Sequence, residues 1–289
     1  MSYTVFTDAC SNLPNRLLDE LDIRTLPCDY LMDGVPATYS GDMDGFDFRG
    51  YYDKLRKGSE LKTSLINSHL FMTHFRPALE QGKDIVYVGL SSGVSGTIQA
   101  ARIAADELEE EFPDRTVAVI DSLGAALGTG LLACRAADLR NEGKTAKEIA
   151  KLLEEEKKKI VIVALVDTLE YLKKGGRVSK TVAFAGTVLN IKPVLSVIDG
   201  QIHMLGKARG SKMGNNLLVQ EIDKAGGIDF SKPVLLGYSG ISNALMEKYI
   251  EDSRHIWEGN MPQVRYTTIG SVIGTHAGPG AVAVAFFKN

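Results

Sequence analysis

The sequence predicts an α/β protein of two domains, an N-terminal one with a parallel sheet and a C-terminal two-layer one with a mixed sheet. Three features carry that expectation. Apolar strands alternate with amphipathic helices through the first half of the 289-residue chain, the pattern of a parallel sheet covered on both faces. An apolar strand from Asp84 to Gly89 passes into a helix with Ile98, Ala101 and Ala105 at helical spacing, through a turn of small residues from Leu90 to Thr97. In the second half a hairpin, Pro193 to Ile198 with Ile202 to Leu205, turns at Asp199-Gly200 and breaks the alternation. The division is placed between 1–157 and 158–289.

In chain order, Tyr3 to Thr7 is an apolar strand ending at Asp8, and Pro14 opens a helix to about Leu21 with Asn12 as its cap. Ile23 to Leu31 reads as one strand closed by the Asp33-Gly34 turn. Tyr39 to Phe48 reads as an acidic loop, followed by a short helix to Leu55. The hydroxyl-rich stretch Leu61 to Ser68 reads as a loop, with Ser68 capping a helix from His69 to Gln81. Thr116 to Ile120 is a buried strand. Gly124 to Gly143 reads as a small-residue helix able to pack tightly on a sheet, and Thr145 to Lys159 as a helix with a solvated charged face.

The second half begins with the apolar strand Ile160 to Val166. Asp167 caps a short helix to Lys174, which Gly175-Gly176 ends. An apolar helix is expected from Thr181 to Leu189, then the hairpin and a helix from Lys212 to Lys224. Strand Val234 to Tyr238, helix Asn243 to Asp252 and strand Val264 to Ile269 follow. A Gly-rich turn from Gly274 to Gly280 leads into the last strand, Ala281 to Phe287.

Composition narrows the function classes. With 44% hydrophobic and 24% charged residues the chain is globular, and a net charge of -3 gives no reason to expect nucleic acid as a partner. The three cysteines and five histidines show no metal spacing, so no metal or cofactor is expected, and a disulfide framework is not indicated. The N-terminus reads as a strand and not a signal peptide, and no apolar run reaches membrane-span length. A soluble cytoplasmic protein is expected.

In a parallel sheet, ligands sit beyond the carboxyl ends of the strands, where Asp8, the turn Ser91 to Thr97 and Asp121-Ser122 should gather. A glycine- and hydroxyl-rich turn before a helix N-terminus is suited to a carboxylate or phosphate, although Ser95 or Thr97 also fits a plain N-cap. Gly89-Leu90-Ser91-Ser92-Gly93 matches the nucleophile-elbow pattern. A serine hydrolase would use Ser91 with Asp121 or Asp167 and His276, but the upstream oxyanion segment of such enzymes is missing. Nucleotide-binding glycine motifs are absent after the first strand. The remaining reading is a binder of a carboxylate on a long apolar tail. Thr63, Ser64, Ser91, Ser92 and Ser95 would serve the head group, Arg177 and His276 would supply positive charge, and the helix Thr181 to Leu189 would line the tail. Asp8 and Asp121 read as braces of their turns.

Seven motifs, in order and spanning nearly the whole chain, carry a family resemblance. They are FTDACSNLP at 6–14, KTSLINS at 62–68, GLSSGVSGTIQAAR at 89–102, VIDSLGAALGTG at 119–130, LEYLKKGGRVS at 169–179, LNIKPVLSVIDGQI at 189–202 and THAGPGAVAVAFF at 275–287. The chain resembles the DegV family of bacterial fatty-acid-binding proteins. The resemblance implies a DegV-like pair of α/β domains with one long-chain fatty acid, such as palmitate, stearate or oleate, between them. It further implies a non-enzymatic carrier that presents this acid to an ATP-dependent fatty acid kinase, whose acyl phosphate enters phospholipid synthesis. Carried over residue by residue, it places Thr63, Ser95, Ser92, Gly96, His276 and Arg177 at the head group, with Arg177 and Arg209 facing a partner. The chain departs from the family at Ala9-Cys10, usually Ser-Thr, and at Leu65-Ile66-Asn67, usually Gln-Pro-Ser. Both changes bear on the shape and selectivity of the pocket.

Overall fold

The computed structural model describes residues 3–178 and 190–289. The expected helix from Thr181 to Leu189 lies outside them. The first half contains β1 (Tyr3–Asp8), α1 (Asn15–Glu20), β2 (Ile23–Leu26), β3 (Cys28–Met32), β4 (Val35–Tyr39), α2 (Phe48–Arg56), β5 (Leu61–Thr63), α3 (Ser68–Glu80), β6 (Asp84–Gly89), α4 (Thr97–Glu111), β7 (Val117–Asp121), α5 (Leu127–Asn141) and α6 (Ala146–Glu156). The second contains β8 (Ile160–Leu165), α7 (Glu170–Lys174), β9 (Ile191–Ile198), β10 (Gln201–Arg209), α8 (Gly210–Lys224), β11 (Val234–Tyr238), α9 (Ala244–Asp252), α10 (Arg254–Trp257), β12 (Val264–Thr268), α11 (Ser271–Ala277) and β13 (Val282–Phe287).

The first sheet is parallel throughout, in the order β2-β1-β6-β7. The chain leaves β1 toward β2 on one side and leaves β6 toward β7 on the other. The strand order therefore reverses between β1 and β6, and the loops after these two strands flank the crevice where α/β sheets hold ligands. The second sheet runs β10-β9-β8-β13-β11-β12, antiparallel except for the β11–β12 pair. The expectation of a parallel and a mixed sheet is met.

The layers stack as helix, sheet, helix, sheet, helix. Helices α3 and α4 cover one face of the parallel sheet. Helix α5 packs on its other face and also on β8, β11 and β13, while α8 and α9 close the far face of the mixed sheet. Sequence LGTGLLACRAADLRN suits α5 to this place. Eleven of its fifteen residues are buried, and they share one apolar core with both sheets. The first eight residues of α5, Leu127 to Cys134, carry no charge and are buried all round, and Arg135, Asp138, Arg140 and Asn141 in the second half are the four left unburied.

Several local expectations are corrected. Ile23 to Leu31 is two strands, broken at Pro27, and they join different sheets. β3 forms a small antiparallel sheet with β4, a strand the sequence reading did not assign, and with β5, which reads as loop. Asn12 does not cap α1, whose N-cap is Pro14, but closes the short 3-10 helix Ala9–Ser11 as its C-cap. It sits at φ 53, donates from Nδ2 to the Cys10 carbonyl (2.6 Å), and accepts on Oδ1 from the Gly270 amide (2.6 Å), tying the two halves together. Asn67, not Ser68, caps α3 by accepting from the Leu70 amide. Asp167 caps no helix and pairs with Lys192. The expected turn from Gly274 to Gly280 is helical over its first part, since α11 runs Ser271–Ala277 and carries His276 in its last turn, and Gly278 to Gly280 follow it as a turn.

Candidate functional site

The site grows from the ends of β1 and β6. Asp8, the last residue of β1, is buried and accepts three hydrogen bonds, from the Cys10 amide (2.9 Å), the Leu90 amide (3.0 Å) and the Tyr87 hydroxyl (2.8 Å). It fixes the start of the β6–α4 turn, as expected of a brace. Burial nevertheless pushes its carboxyl above the usual range. Asp121 braces the same turn from β7, accepting from the amides of Ser92 (3.2 Å) and Leu123 (3.1 Å).

Within the turn, Ser91 is buried and donates to the Gly200 carbonyl in the β9–β10 hairpin (2.8 Å). Gly200 has φ +79, and a Cβ there would lie 2.5 Å from the Ser91 Oγ. Glycine is needed for both the turn and the contact. Helix α4 starts at Gly96 without a side-chain cap. Ser95 Oγ instead bonds Thr97 Oγ1 (3.0 Å), which accepts from the Ile66 amide (3.2 Å) and holds the β5–α3 loop against the turn.

Thr63 at the end of β5 meets His276 on α11, with Oγ1 to Nε2 at 2.9 Å. The other ring nitrogen of His276, Nδ1, is buried with no hydrogen-bond partner. Burial, with a smaller contribution from the positive charge of Arg177, pushes the imidazole down to about 4. It is neutral at pH 7. Arg177 donates to the carbonyls of Gly175 and, from Nε, Val94 (3.4 Å). Gly175 carries no side chain for a plain reason: a Cβ there would lie 2.6 Å from His276 Cε1.

These groups open onto one cavity of about 330 Å³. Thr63, Ser64, Ser95, Gly96, Arg177 and His276 all line it. Ser92 does not. Its side chain is on the surface, so the structure separates it from the other expected head-group residues. Arg209 is exposed at the end of β10, away from the cavity wall.

The rest of the wall is largely aliphatic, from the start of α5, β8, β9, β13 and α11. Sequence reasoning missed this part, though a signal exists in the alternation of AVAVAFF. Val282, Val284 and Phe286 point into the core under α8 and α9, whereas Ala281 and Ala283 face the cavity. In β8, Val163 and Leu165 turn away and Ile162 and Ala164 turn inward, and of the inward pair only Ala164 is small. Small residues on one face of a strand with large ones on the other leave space on the small side.

The hydrolase arrangement is not assembled. Ser91 Oγ is committed to Gly200, His276 Nε2 to Thr63, and Asp121 to backbone amides. Asp167 pairs with Lys192. No hydrogen bond joins Ser91 to His276, and Ser91 is fully buried. No helix among the described residues is long and apolar enough to cross a membrane.

Comparison with known proteins gives one consistent picture. A DegV domain-containing protein of Clostridium perfringens is 34% identical, over 99% of this chain and 98% of its own. Among solved structures, a fatty-acid-binding DegV family protein of Thermus thermophilus superposes with a TM-score of 0.87 at 28% identity, covering 99% of this chain and 100% of that one. DegV of Bacillus subtilis, a fatty-acid-binding protein, superposes with a TM-score of 0.80 at 27% identity over the full length of both. The profile of the family described as uncharacterised protein, DegV family, matches residues 2–289. The chain belongs to the DegV family.

Proposed function

We propose that this protein is a non-enzymatic carrier that binds one long-chain fatty acid, with the tail in the cavity and the carboxylate at Thr63, Ser95, His276 and Arg177. The observation that carries the reading is the cavity itself. Its wall is largely aliphatic with a few polar groups gathered at one part, and its volume of about 330 Å³ is that of an ordinary small-molecule site, about 300–1,000 Å³. A C16 tail supplies about 14 methylenes at ~0.8 kcal/mol each, roughly 11 kcal/mol gross, from which lost ligand freedom subtracts several.

The head-group chemistry fits an anion. With His276 neutral and its proton on Nε2, the ring donates to the Thr63 oxygen and leaves the Thr63 hydroxyl free to donate to a carboxylate. Ser95 adds a second hydroxyl and Arg177 the charge. The fatty-acid-binding relatives from Thermus thermophilus and Bacillus subtilis support the same ligand class. The carrier would present its carboxylate to an ATP-dependent fatty acid kinase in a cytoplasmic route to phospholipid, with Arg177 and the exposed Arg209 toward the partner. No cofactor enters this scheme.

Native mass spectrometry of the purified protein, with extraction of the bound species, tests the ligand. A lipid-free protein that takes up no C14–C18 acid would remove the proposal. Thr63→Ala and Ser95→Ala should each weaken palmitate binding by roughly tenfold, since hydrogen bonds to a charged group are worth ~1.5–3 kcal/mol. Arg177→Ala that keeps the lipid but stops acyl phosphate formation in a coupled assay would place Arg177 at the partner, and loss of lipid would place it at the head group.

A further inference from the structure

The cavity wall contains a second polar cluster that the fatty-acid reading does not use. Asp8, Cys10 and Cys28 are all buried and all line the cavity, and they bring one carboxylate oxygen and two sulfurs within 4.8 Å of one another. We propose that this cluster is a binding site for a thiophilic divalent cation of the zinc class.

The spacing of the sulfurs is the first argument. Cys10 Sγ and Cys28 Sγ are 3.8 Å apart. A tetrahedral ion with metal–sulfur bonds of about 2.3 Å holds two of its sulfurs about 3.8 Å apart. The pair already has the separation that two ligands of one such ion require. Two sulfurs and a carboxylate oxygen also select the metal class, since thiolates favour zinc-like ions over magnesium or calcium.

The ligands are also held in place from outside. The Tyr87 hydroxyl and the Leu90 amide fix one oxygen of Asp8, and the Cys10 amide fixes the other. Outer hydrogen bonds of this kind orient a ligating carboxylate. Cys10 is further fixed through its carbonyl, which accepts from Asn12 Nδ2. Cys28 is held in register opposite Tyr39 at the start of β3.

Charge supplies the last argument. The hydrogen-bond partners of the buried Asp8 are the Cys10 and Leu90 amides and the Tyr87 hydroxyl, none of them a cation. A buried carboxylate without a counter-charge is costly, and a bound cation would neutralise it. Ligation displaces the two thiol protons to solvent and changes no covalent bond between heavy atoms. Because the three residues line the cavity, the fourth position of a tetrahedral ion is left to water or to the cavity's occupant. Cys10 and Cys28 come from the end of one sheet and the start of another, so no motif spacing in the sequence announces the site.

Cadmium under reducing conditions is a direct probe, read by its sulfur-to-metal charge-transfer absorption and by native mass spectrometry of the full-length protein. One equivalent should bind. Cys10→Ser and Cys28→Ser should each abolish the band, whereas Cys134→Ser, on α5, should keep it. Asp8→Asn should weaken binding by roughly tenfold or more. Since Asp8 also braces the β6–α4 turn, Cys28→Ser carries the test if Asp8→Asn fails to fold. No band at one equivalent with the native protein, a band that survives in the Cys10→Ser, Cys28→Ser double variant, or a mass showing a Cys10–Cys28 disulfide in place of the adduct would overturn the assignment.

Discussion

The neutral, buried His276 makes a quantitative claim about acid. Its pKa falls from an ordinary 6.5 to about 4 in the folded protein, chiefly through burial and secondarily through Arg177. On acidification the unfolded chain takes up the proton first, at its ordinary value. The folded protein resists protonation until about pH 4. The stability associated with His276 is therefore fully present above about pH 6.5 and is lost as pH falls toward 4. The difference between those values corresponds to about 3 kcal/mol. Other groups titrate in the same window, so the measurement is a difference. Urea unfolding of the lipid-free native protein and of His276→Gln, which keeps a polar group toward Thr63 but does not titrate, should be compared at intervals between about pH 4 and pH 7. The stability of the native protein should fall relative to the variant by about 3 kcal/mol on acidification. Parallel curves over the whole range would refute the reasoning, because they would mean that His276 titrates equally in both states. Arg177→Gln should reduce the loss by removing the smaller of the two causes. A fatty acid carboxylate against the ring would act in the opposite sense to burial, so loading with palmitate should raise the His276 pKa, readable by NMR.

Other perturbations address the packing around the site. Gly175→Ala places a methyl group against the His276 ring. It should destabilise the protein by about 1–3 kcal/mol and weaken palmitate binding, and a variant with native melting and affinity would contradict the contact. Ala283→Leu adds three carbons on the cavity side of β13. It should stabilise the lipid-free protein by up to about 2 kcal/mol and shift binding from stearate toward shorter acids, whereas unchanged chain-length preference would show that the tail lies elsewhere. A fragment of residues 1–157 loses the β8, β11 and β13 face that covers α5. It should unfold without a cooperative transition in calorimetry, and a sharp transition would establish an autonomous first domain.

The large elements were legible because they obey one rule each. Strands β1, β6, β8 and β11 are apolar runs bounded by turn residues, and the Asp199-Gly200 turn fixed the hairpin. The misreadings have physical causes. Pro27 lies inside what reads as one strand, yet it has no amide to donate and divides the run between two sheets. Strand β4 is an edge exposed along most of its length, and β5 is an edge of three residues, too short to show a strand pattern, so the first went unassigned and the second reads as loop. Helix α11 was hidden by its glycines, which suggest a turn. In the fold they serve packing, since a Cβ at Gly274 would meet the Tyr52 hydroxyl at 2.5 Å. Asn12 looked like the cap of α1 because a cap and a bridge between halves use the same side chain. Only the distant partner, Gly270, distinguishes them.

The site was legible only at its polar end. Hydroxyls and glycines stand out in a sequence, and the switch-point rule says where the ends of β1 and β6 must meet. The tail cavity has no such vocabulary. It is made by what the chain leaves out: alanine at 164, 281 and 283, where large side chains would close the space. The same strands put Val163, Leu165, Val282, Val284 and Phe286 on their opposite faces, where the core is filled. A strand that alternates small and large, in place of polar and apolar, is buried on both sides but packed on one. For this chain that pattern carries the information about the cavity, and it becomes readable once β8 and β13 are recognised as neighbours with Ala164 opposite Ala283. Either strand alone is an ordinary apolar run. Paired, Ala164 and Ala283 coincide, and the space that results is a property of the sheet that neither segment specifies by itself.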